Sequence, residues 1–440
     1  MVKITFMGAG STIFARNVLG DCMCTPSLWD AEIALYDIDA KRLAESEVII
    51  KAINKNINFD RARINTYLGV EKRKDALRGA DFVVNAIQVG AYDPCTIIDF
   101  KIPEKYGLRQ TIADTLGIGG IMRGLRTIPV MRDFAQDMEE VCPQALFMNY
   151  TNPMAILTGY MTRYTSVKTV GLCHSVQTCS ETLLKNLGME DKLEGRKELI
   201  AGINHMAWLL DIRDKDGIDL YPEIKRRAME KNTTEKHGDM IRFEYIKHLG
   251  YYCTESSEHN AEYNPFYIKS NYPELIERYQ IPLDEYPRRC IRQIEGWENE
   301  KNSILKDGKI THERSKEYAS YIMEAVITNQ PIKIGGNVKN TSLIDNLVSD
   351  ACVEVPCLVD AQGIQPCHIG RLPVQLASMN MTNINVQLMT IEAAVTKKRE
   401  HIYQAAMLDP HTAAELSIDD IVKMCDELID AHGDYMKEYK

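Results

Sequence analysis

The sequence lacks three features that would each place it in a large class of proteins: long apolar runs, an excess of positive charge and closely paired cysteines. No apolar run reaches the ~18 residues that a membrane-spanning helix requires. Lysine and arginine (52) are outnumbered by aspartate and glutamate (62), and a net charge of −10 disfavours a nucleic-acid binder. The N-terminus has no signal-peptide pattern. We therefore expect a cytoplasmic protein with neither nucleic-acid nor membrane partners.

The cysteines are numerous but scattered. There are twelve, and no CxxC pair occurs anywhere in the chain. Without a secretory signal, this spacing predicts reduced and mostly buried thiols rather than a disulfide framework. The 440 residues, 45% of them apolar, are enough for two or three domains of core.

The first part of the chain alternates short apolar runs with amphipathic stretches, which is typical of a doubly wound parallel sheet. After about residue 180 the pattern changes to longer polar helices with fewer strands. We predict an α/β protein with an N-terminal Rossmann-type domain (1–180) and a C-terminal α+β domain (181–440) for substrate, metal and oligomer contacts. No linker separates them, so we expect one extensive interface. The predicted strands of the first part are Ile4–Met7, Glu32–Tyr36, Arg63–Tyr67, Phe82–Ile87, Leu146–Met148 and Thr169–Leu172.

A glycine turn follows the first predicted strand. Gly8, Gly10 and Ser11 open a helix whose backbone N–H groups could receive a pyrophosphate, although Ile13 stands where a third glycine is common. A plain strand-to-helix turn would fit this short motif equally well. Asp37 ends the second strand, where a carboxylate binds the adenosine ribose and disfavours a 2′-phosphate. The combination predicts binding of NAD(H) rather than NADP(H).

Amide side chains stand at the ends of two later strands. Asn85 and Gln88 stand at the carboxyl end of the fourth strand, and Asn149 ends the fifth. The carboxyl ends of parallel strands line the ligand crevice of such sheets, so these side chains are candidate nucleotide contacts. Ordinary turn chemistry is the alternative.

A second group of residues suggests metal and acid–base chemistry. Cys173 follows an apolar strand, and His205 lies some thirty residues further on. Together they could hold a divalent ion. A buried structural cysteine and a histidine that binds no metal are, however, more common in proteins than such a pair of ligands. Asp114 lies in a glycine-rich loop and could donate a proton if burial raised its pKa, or it could simply cap a turn. The polar segment 254–263 ends in Tyr263, which could act as a base only beside a cation.

Together these segments resemble glycoside hydrolase family 4, the NAD- and metal-dependent glycosidases, over nearly the whole chain. The tetrapeptide CHSV at 173–176 resembles that of the α-galactosidase (melibiase) branch, whereas phospho-sugar members carry Asp or Asn in place of His174. The other matching segments are GAGSTIF at 8–14, DID at 37–39, ADTLGIGGIMRGLRTIP at 113–129, NYTNPMA at 149–155, AGINHMAW at 201–208, TESSEHNAEY at 254–263, GNVKN at 336–340 and VEVPCLVD at 353–360.

The resemblance implies a fold like that of lactate and malate dehydrogenases, and a retaining α-galactosidase acting on α-galactosides such as melibiose. It implies NAD+ and Mn2+, or another divalent ion, as cofactors, with Cys173 and His205 as metal ligands. In that scheme NAD+ takes a hydride from C3 of the sugar, Tyr263 removes the C2 proton, the aglycone leaves with acid assistance, water adds and the hydride returns. Asp114 is the first candidate for the acid, alone or with His174.

Further expectations concern the sugar and the assembly. Asn152, His174, Asn204 and Arg289 are expected to contact the substrate, and a homodimer or homotetramer is expected from the resemblance. The alternatives left open are an NAD-dependent 2-hydroxy-acid dehydrogenase, a non-enzymatic NAD sensor, and a family 4 α-glucosidase or α-glycuronidase.

Overall fold

The computed structural model describes residues 1–307 and 310–440, and one twelve-stranded sheet runs through them. The strand order is β3-β2-β1-β4-β5-β6-β10-β11-β7-β8-β9, with β12 paired to β11. The strands are β1 (Lys3–Met7), β2 (Glu32–Asp37), β3 (Arg63–Leu68), β4 (Phe82–Asn85), β5 (Leu146–Asn149), β6 (Lys168–Gly171), β7 (Lys197–Ile203), β8 (Met206–Arg213), β9 (Tyr252–Cys253), β10 (Ile332–Lys339), β11 (Cys352–Asp360) and β12 (Gly363–Pro366).

The first six strands are all parallel, as the alternation of apolar and amphipathic stretches predicts. β1 lies between β2 and β4, so the chain reverses its direction of strand addition at this point. Ile4 and Phe6 of β1 are fully buried. In an open sheet a ligand crevice forms beside such a reversal, outside the carboxyl ends of the strands.

Seventeen helices surround the sheet in the described part of the chain. They are α1 (Thr12–Met23), α2 (Ala40–Asn58), α3 (Arg73–Leu77), α4 (Ile97–Lys105), α5 (Gly117–Val141), α6 (Met154–Tyr164), α7 (His174–Asn186), α8 (Tyr221–Thr234), α9 (Met240–Leu249), α10 (Ser257–Glu262), α11 (Glu274–Arg278), α12 (Glu285–Asp307), α13 (Ala319–Thr328), α14 (Val374–Thr396), α15 (Arg399–Leu408), α16 (Pro410–Glu415) and α17 (Ile418–His432). None of the described helices has the length and apolar character needed to cross a bilayer.

Helix α5 begins at Gly117, eleven residues before Ile128, where the apolar periodicity predicts that it starts. The apolar periodicity predicts a helix over Ile128–Val141 capped by Thr127, but Thr127 lies inside α5 and its hydroxyl donates to the carbonyl of Arg123 at 2.7 Å. The glycines at the start of α5 conceal it, because glycine disfavours helix. Gly119 is required by a close approach: a Cβ there would lie 2.5 Å from the carbonyl oxygen of Ala113.

The two halves of the chain share the sheet. β10 returns from the C-terminal half and pairs antiparallel with β6 through Asn337 and Gly171, and β11 pairs with β7 through Glu354 and Gly202. The expected extensive interface is therefore a continuous run of strands. The domain division at residue 180 stays a prediction, and that position lies within α7.

A buried charged cluster ties the C-terminal helix to the N-terminal half. The carboxylate of Asp99 accepts two hydrogen bonds from Arg126, at 3.2 and 2.7 Å, and a third contact from Nε2 of His432 at 2.9 Å. Nε of Arg126 donates to the carbonyl of Val89 at 3.1 Å. Helix α17 thus braces the loop that follows β4.

Candidate active site

A cavity of about 350 Å³ opens at the carboxyl ends of β1, β4, β5 and β6. Ser11 and Gln88 line one end, close to the glycine turn, while residues of the C-terminal half complete the wall. A ligand placed there would therefore touch both halves of the chain. Other lining residues include Asp114, Arg123, Asn152, Cys173, His174, His205, Glu255, His259 and Tyr286.

Three potential metal donors meet in this cavity. One ligand atom from each of Cys173, His205 and Glu255 lies within 4.8 Å of the other two. Cys173 caps the start of α7, His205 lies in the tight connection between β7 and β8, and Glu255 follows β9. The structure brings together the two residues predicted from the sequence and adds a carboxylate. Sulfur, imidazole and carboxylate donors suit a transition-metal ion such as Mn2+ or Zn2+.

The charges around the cluster favour a cation. Burial would raise the pKa of Glu255, but the imidazoles of His259 and His205 outweigh it and the pKa falls to about 2. Burial raises the pKa of the Cys173 thiol, with further increases from Glu354 and Glu255, so its proton must be displaced when a cation binds.

Tyr263 lies behind His205. Its hydroxyl is 3.1 Å from Nδ1 of His205, and the residue is completely buried rather than part of the cavity lining. Burial raises its pKa well above the ordinary value, and the charges of Asp114 and Glu262 raise it further. The contact with Nδ1 leaves Nε2 of His205, which lies 3.6 Å from Oε2 of Glu255, on the side of the other donors, which is how a supporting partner orients a histidine ligand.

Asp114 is an ionised group in a tight polar cluster. Its carboxylate accepts hydrogen bonds from Thr115 at 2.8 Å and Asn152 at 3.1 Å, and it lies 3.5 Å from Nη1 of Arg123. Burial acts to raise its pKa, but Arg123 and two nearby imidazoles lower it overall. The condition under which Asp114 could donate a proton, a pKa raised by its surroundings, is therefore not met in this structure, and its role as the acid stays a prediction.

His174 is paired with a carboxylate from the C-terminal half. Its Nε2 lies 2.6 Å from Oε1 of Glu317, and its ring, half exposed, lines the cavity. The hydrogen bond to Glu317 raises the pKa of His174. Of the two acid candidates, His174 is the one whose environment favours the protonated form.

The backbone conformation of the glycine turn shapes the part of the site that is expected to bind the nucleotide. Gly8 has a φ of +86°, and a Cβ there would lie 2.8 Å from the carbonyl oxygen of Ala86. The N–H of Gly10 donates to Oδ2 of Asp37 at 2.6 Å, which fixes the carboxylate at the end of β2 beside the turn. Ser11 reaches the cavity itself.

The amide candidates divide into two groups. Gln88 lines the cavity. Asn85 and Asn149 are completely buried, and Nδ2 of Asn85 donates to Oδ1 of Asn149 at 2.9 Å, so in this structure they join β4 to β5.

Two predicted substrate contacts, Asn204 and Arg289, are not among the residues that line the cavity, and their roles stay predictions. Asn204 is completely buried and is not part of the lining. Arg289 is partly exposed and pairs with Glu258 and Glu285. Arg123, in contrast, does line the cavity, and its Nη2 donates to the hydroxyl of Tyr286 at 3.0 Å.

Glu262 holds the loop that carries Asp114. Its carboxylate accepts hydrogen bonds from the backbone N–H groups of Thr111 and Ala113, both at 2.8 Å, and from that of Ile112 at 3.3 Å. Burial raises its pKa to about 7 against the opposing effect of these amides. Glu262, the last residue of α10, thus holds the loop before Asp114, while the next residue, Tyr263, contacts His205.

Comparison with known proteins identifies the family. A model of family 4 glycosyl hydrolases matches residues 3–189, and a model of the family's C-terminal domain matches residues 200–412. The chain belongs to glycosyl hydrolase family 4. It is 64% identical over 440 residues, covering 100% of both chains, to an α-galactosidase of Bacillus subtilis (strain 168).

Solved structures confirm the Rossmann-type fold of this family 4 member. One is a 6-phospho-α-glucosidase from gut microorganisms in complex with NAD and Mn2+, with a TM-score of 0.80 at 19% identity, covering 99% of this chain and 98% of that chain. Malate dehydrogenase from Plasmodium falciparum matches with a TM-score of 0.50 at 15% identity, over 91% of this chain and 100% of that chain. The expected likeness to dehydrogenases is thus confirmed at the level of fold.

We predict that Glu255 contributes to metal binding. Cys173→Ser and His205→Ala should abolish Mn2+ binding, and Glu255→Gln should weaken it at least tenfold, because each removes one donor of a three-donor cluster. Isothermal titration with Mn2+ under reducing conditions measures this. Glu258→Gln, in the same segment but paired with Arg289, is the matched control. Unchanged affinity in Glu255→Gln would remove this carboxylate from the site.

We predict that Glu262 makes stability depend on pH. A carboxyl whose pKa in the folded chain is about 7, above its ordinary value of 4.5, contributes stability below pH 4.5 that is lost as the pH rises through 7. Relative to Glu262→Gln, the wild type should therefore lose up to about 3 kcal/mol between pH 5 and 8. Thermal unfolding across this range tests the prediction, and Glu258→Gln is measured in parallel to control for the loss of a carboxyl from the same segment. Parallel curves for wild type and Glu262→Gln would contradict the prediction.

Proposed function

We propose that this family 4 enzyme is an α-galactosidase that hydrolyses α-galactosides such as melibiose, with retention, using NAD+ and a divalent ion such as Mn2+. The 64% identity to an α-galactosidase over the full chain supports the substrate class. The 6-phospho-α-glucosidase of the same fold, in complex with NAD and Mn2+, supports the cofactors.

The observation that carries the proposal is the continuity of one cavity. Its lining runs from Ser11 and Gln88, at the glycine turn, to the three metal donors. A dinucleotide over the turn and an ion at the donors would therefore meet over one sugar. A 2-hydroxy-acid dehydrogenase has no need of a thiolate, imidazole and carboxylate at this place.

When bound, the oxidised nicotinamide supplies a hydride acceptor and the ion supplies a Lewis acid. Cys173, His205 and Glu255 would hold the ion, and Asn152 would hold sugar hydroxyls. His174, whose pKa is raised by the hydrogen bond to Glu317, would donate a proton to the departing aglycone oxygen. Tyr263 is the base proposed for the C2 proton, because its hydroxyl lies against a metal ligand, where a cation would lower its pKa.

The remaining parts of the proposal concern the setting of the enzyme. A homodimer or homotetramer is proposed, and light scattering of the purified protein measures it. The cytoplasm is proposed as the location, because a reducing compartment keeps Cys173 able to bind a metal.

The activity is tested with p-nitrophenyl α-galactoside. We expect release of p-nitrophenol by the protein supplied with NAD+, Mn2+ and reductant, and at least a hundredfold loss when either cofactor is removed. NADH should not accumulate, because the hydride returns to the sugar. Net reduction of NAD+ by a hydroxy acid, without glycoside cleavage, would contradict the proposal.

The proposed base is tested by a pair of tyrosine variants. We expect Tyr263→Phe to lose at least a hundredfold in kcat and to stop exchange of the C2 proton with D2O. Tyr286→Phe is the matched control, since Tyr286 lines the cavity but its hydroxyl accepts a hydrogen bond from Arg123 rather than contacting a metal ligand. If Tyr286→Phe stopped the exchange of the C2 proton and Tyr263→Phe did not, the base would be Tyr286, and the assignment of Tyr263 would be wrong.

A further inference from the structure

Two asparagines in the first half of α14 are buried behind the site, and the proposed chemistry does not use them. Asn380 and Asn383 are completely shielded from solvent and lie three positions apart, so their side chains leave the same face of the helix. Oδ1 of each is buried and has no hydrogen-bond partner among the described residues. A half-satisfied amide is costly in a helix core, where an apolar side chain would pack without that cost. The benefit must come from the other half of each amide, its N–H groups.

These N–H groups hold two backbone carbonyls of the site. Nδ2 of Asn380 donates to the carbonyl of Met206, the residue after His205, at 2.7 Å. Nδ2 of Asn383 donates to the carbonyl of Tyr263 at 3.2 Å. One face of α14 thus holds the chain both beside the metal ligand His205 and at the proposed base Tyr263.

The carbonyl of Met206 belongs to the β7–β8 connection, on which two of the three metal donors depend. His205 precedes it, and Ala207 follows it. The N–H of Ala207 donates to Oγ1 of Thr254 at 3.1 Å, and the N–H of Thr254 donates to the carbonyl of Ala207 at 2.7 Å. Thr254 directly precedes Glu255. A shift of this connection would therefore move the imidazole and the carboxylate relative to the thiolate donor.

Helix α14 also lies directly on β7 at this point. A Cβ on Gly202, three residues before His205, would lie only 3.2 Å from Oδ1 of Asn380. This close contact with the strand and the two hydrogen bonds to carbonyls leave the asparagines little freedom to move, because such an interior is tightly packed.

We propose that Asn380 and Asn383 are positioning residues with separate tasks. Asn380 holds the connection that carries His205 and thereby sets the affinity for the metal ion, whereas Asn383 holds Tyr263 and thereby sets the rate of proton removal. Neither side chain is among the residues that line the cavity, so each acts through the residue that it holds. The inference rests on the proposed function, from which it takes the ion and the base.

The test replaces each asparagine by leucine, whose branched side chain has a similar shape but neither donates nor accepts a hydrogen bond. Isothermal titration with Mn2+ alone measures the affinity for the metal. The kcat on p-nitrophenyl α-galactoside, at saturating NAD+ and Mn2+, and the exchange of the C2 proton with D2O measure proton removal. We expect Asn380→Leu to raise the Kd for Mn2+ at least tenfold while kcat at saturating Mn2+ stays within threefold of the wild type. We expect Asn383→Leu to keep the Kd within threefold and to lower kcat and exchange at least tenfold.

Gln387→Met is the matched control, because Gln387 is buried on the same face, one turn further along α14, and its amide has no hydrogen-bond partner among the described residues. It should change neither the Kd nor kcat more than twofold. Any other pattern overturns the proposal, for example equal losses of affinity and kcat in both leucine variants, or values within threefold of the wild type in both.

Folding of each variant is checked by circular dichroism. If a leucine variant does not fold, the alanine variant at the same position replaces it, and failure of both to fold would overturn the proposal by giving that asparagine a role in folding alone. Failure of the proposed function is seen separately, as a wild type that binds no Mn2+ or releases no p-nitrophenol.

Discussion

The site depends on how β10 and β11 fill the space between β6 and β7. Gly171, two residues before Cys173, pairs with Asn337 of β10, and Gly202, three residues before His205, pairs with Glu354 of β11. Two metal donors separated by about thirty residues are thereby set at a fixed spacing by backbone hydrogen bonds. Both glycines are packed closely: a Cβ would lie 2.6 Å from Sδ of Met154 at the first and 2.7 Å from Cα of Ala207 at the second.

The sequence predicts much of this architecture. Short apolar runs mark the central parallel strands β1, β4 and β5, which are buried almost throughout, whereas the edge strand β3 is mostly exposed. Apolar periodicity is insufficient for α5, whose glycines conceal the helix, and for β10, whose polar and glycine-rich sequence is buried only because β6 and β11 lie on either side. Motif spacing is enough to bring Cys173 and His205 together.

The sequence is least informative about residues whose role depends on distant neighbours. Glu255 has a φ of +62°, an unusual conformation for a glutamate that no local pattern announces. The pKa of Asp114 is lowered rather than raised because Arg123, nine positions away on α5, is close in space. Glu317 is distant in sequence from His174, so their pairing is visible only once the fold is known. The polar segment 254–263 correctly predicts the part of the chain that reaches the site. It does not predict which of its carboxylates lies beside Cys173 and His205.

The C-terminal helix has a consequence for synthesis of the chain. Asp99 obtains its contact with His432 only when α17 is in place, and β6 obtains its neighbour β10 only after some 160 further residues. A nascent chain on the ribosome could form the parallel strands early, but its edge at β6 would stay unpaired until much of the remainder had emerged. The parallel strands of the N-terminal half therefore acquire their last neighbouring strand, β10, only when most of the chain has been translated.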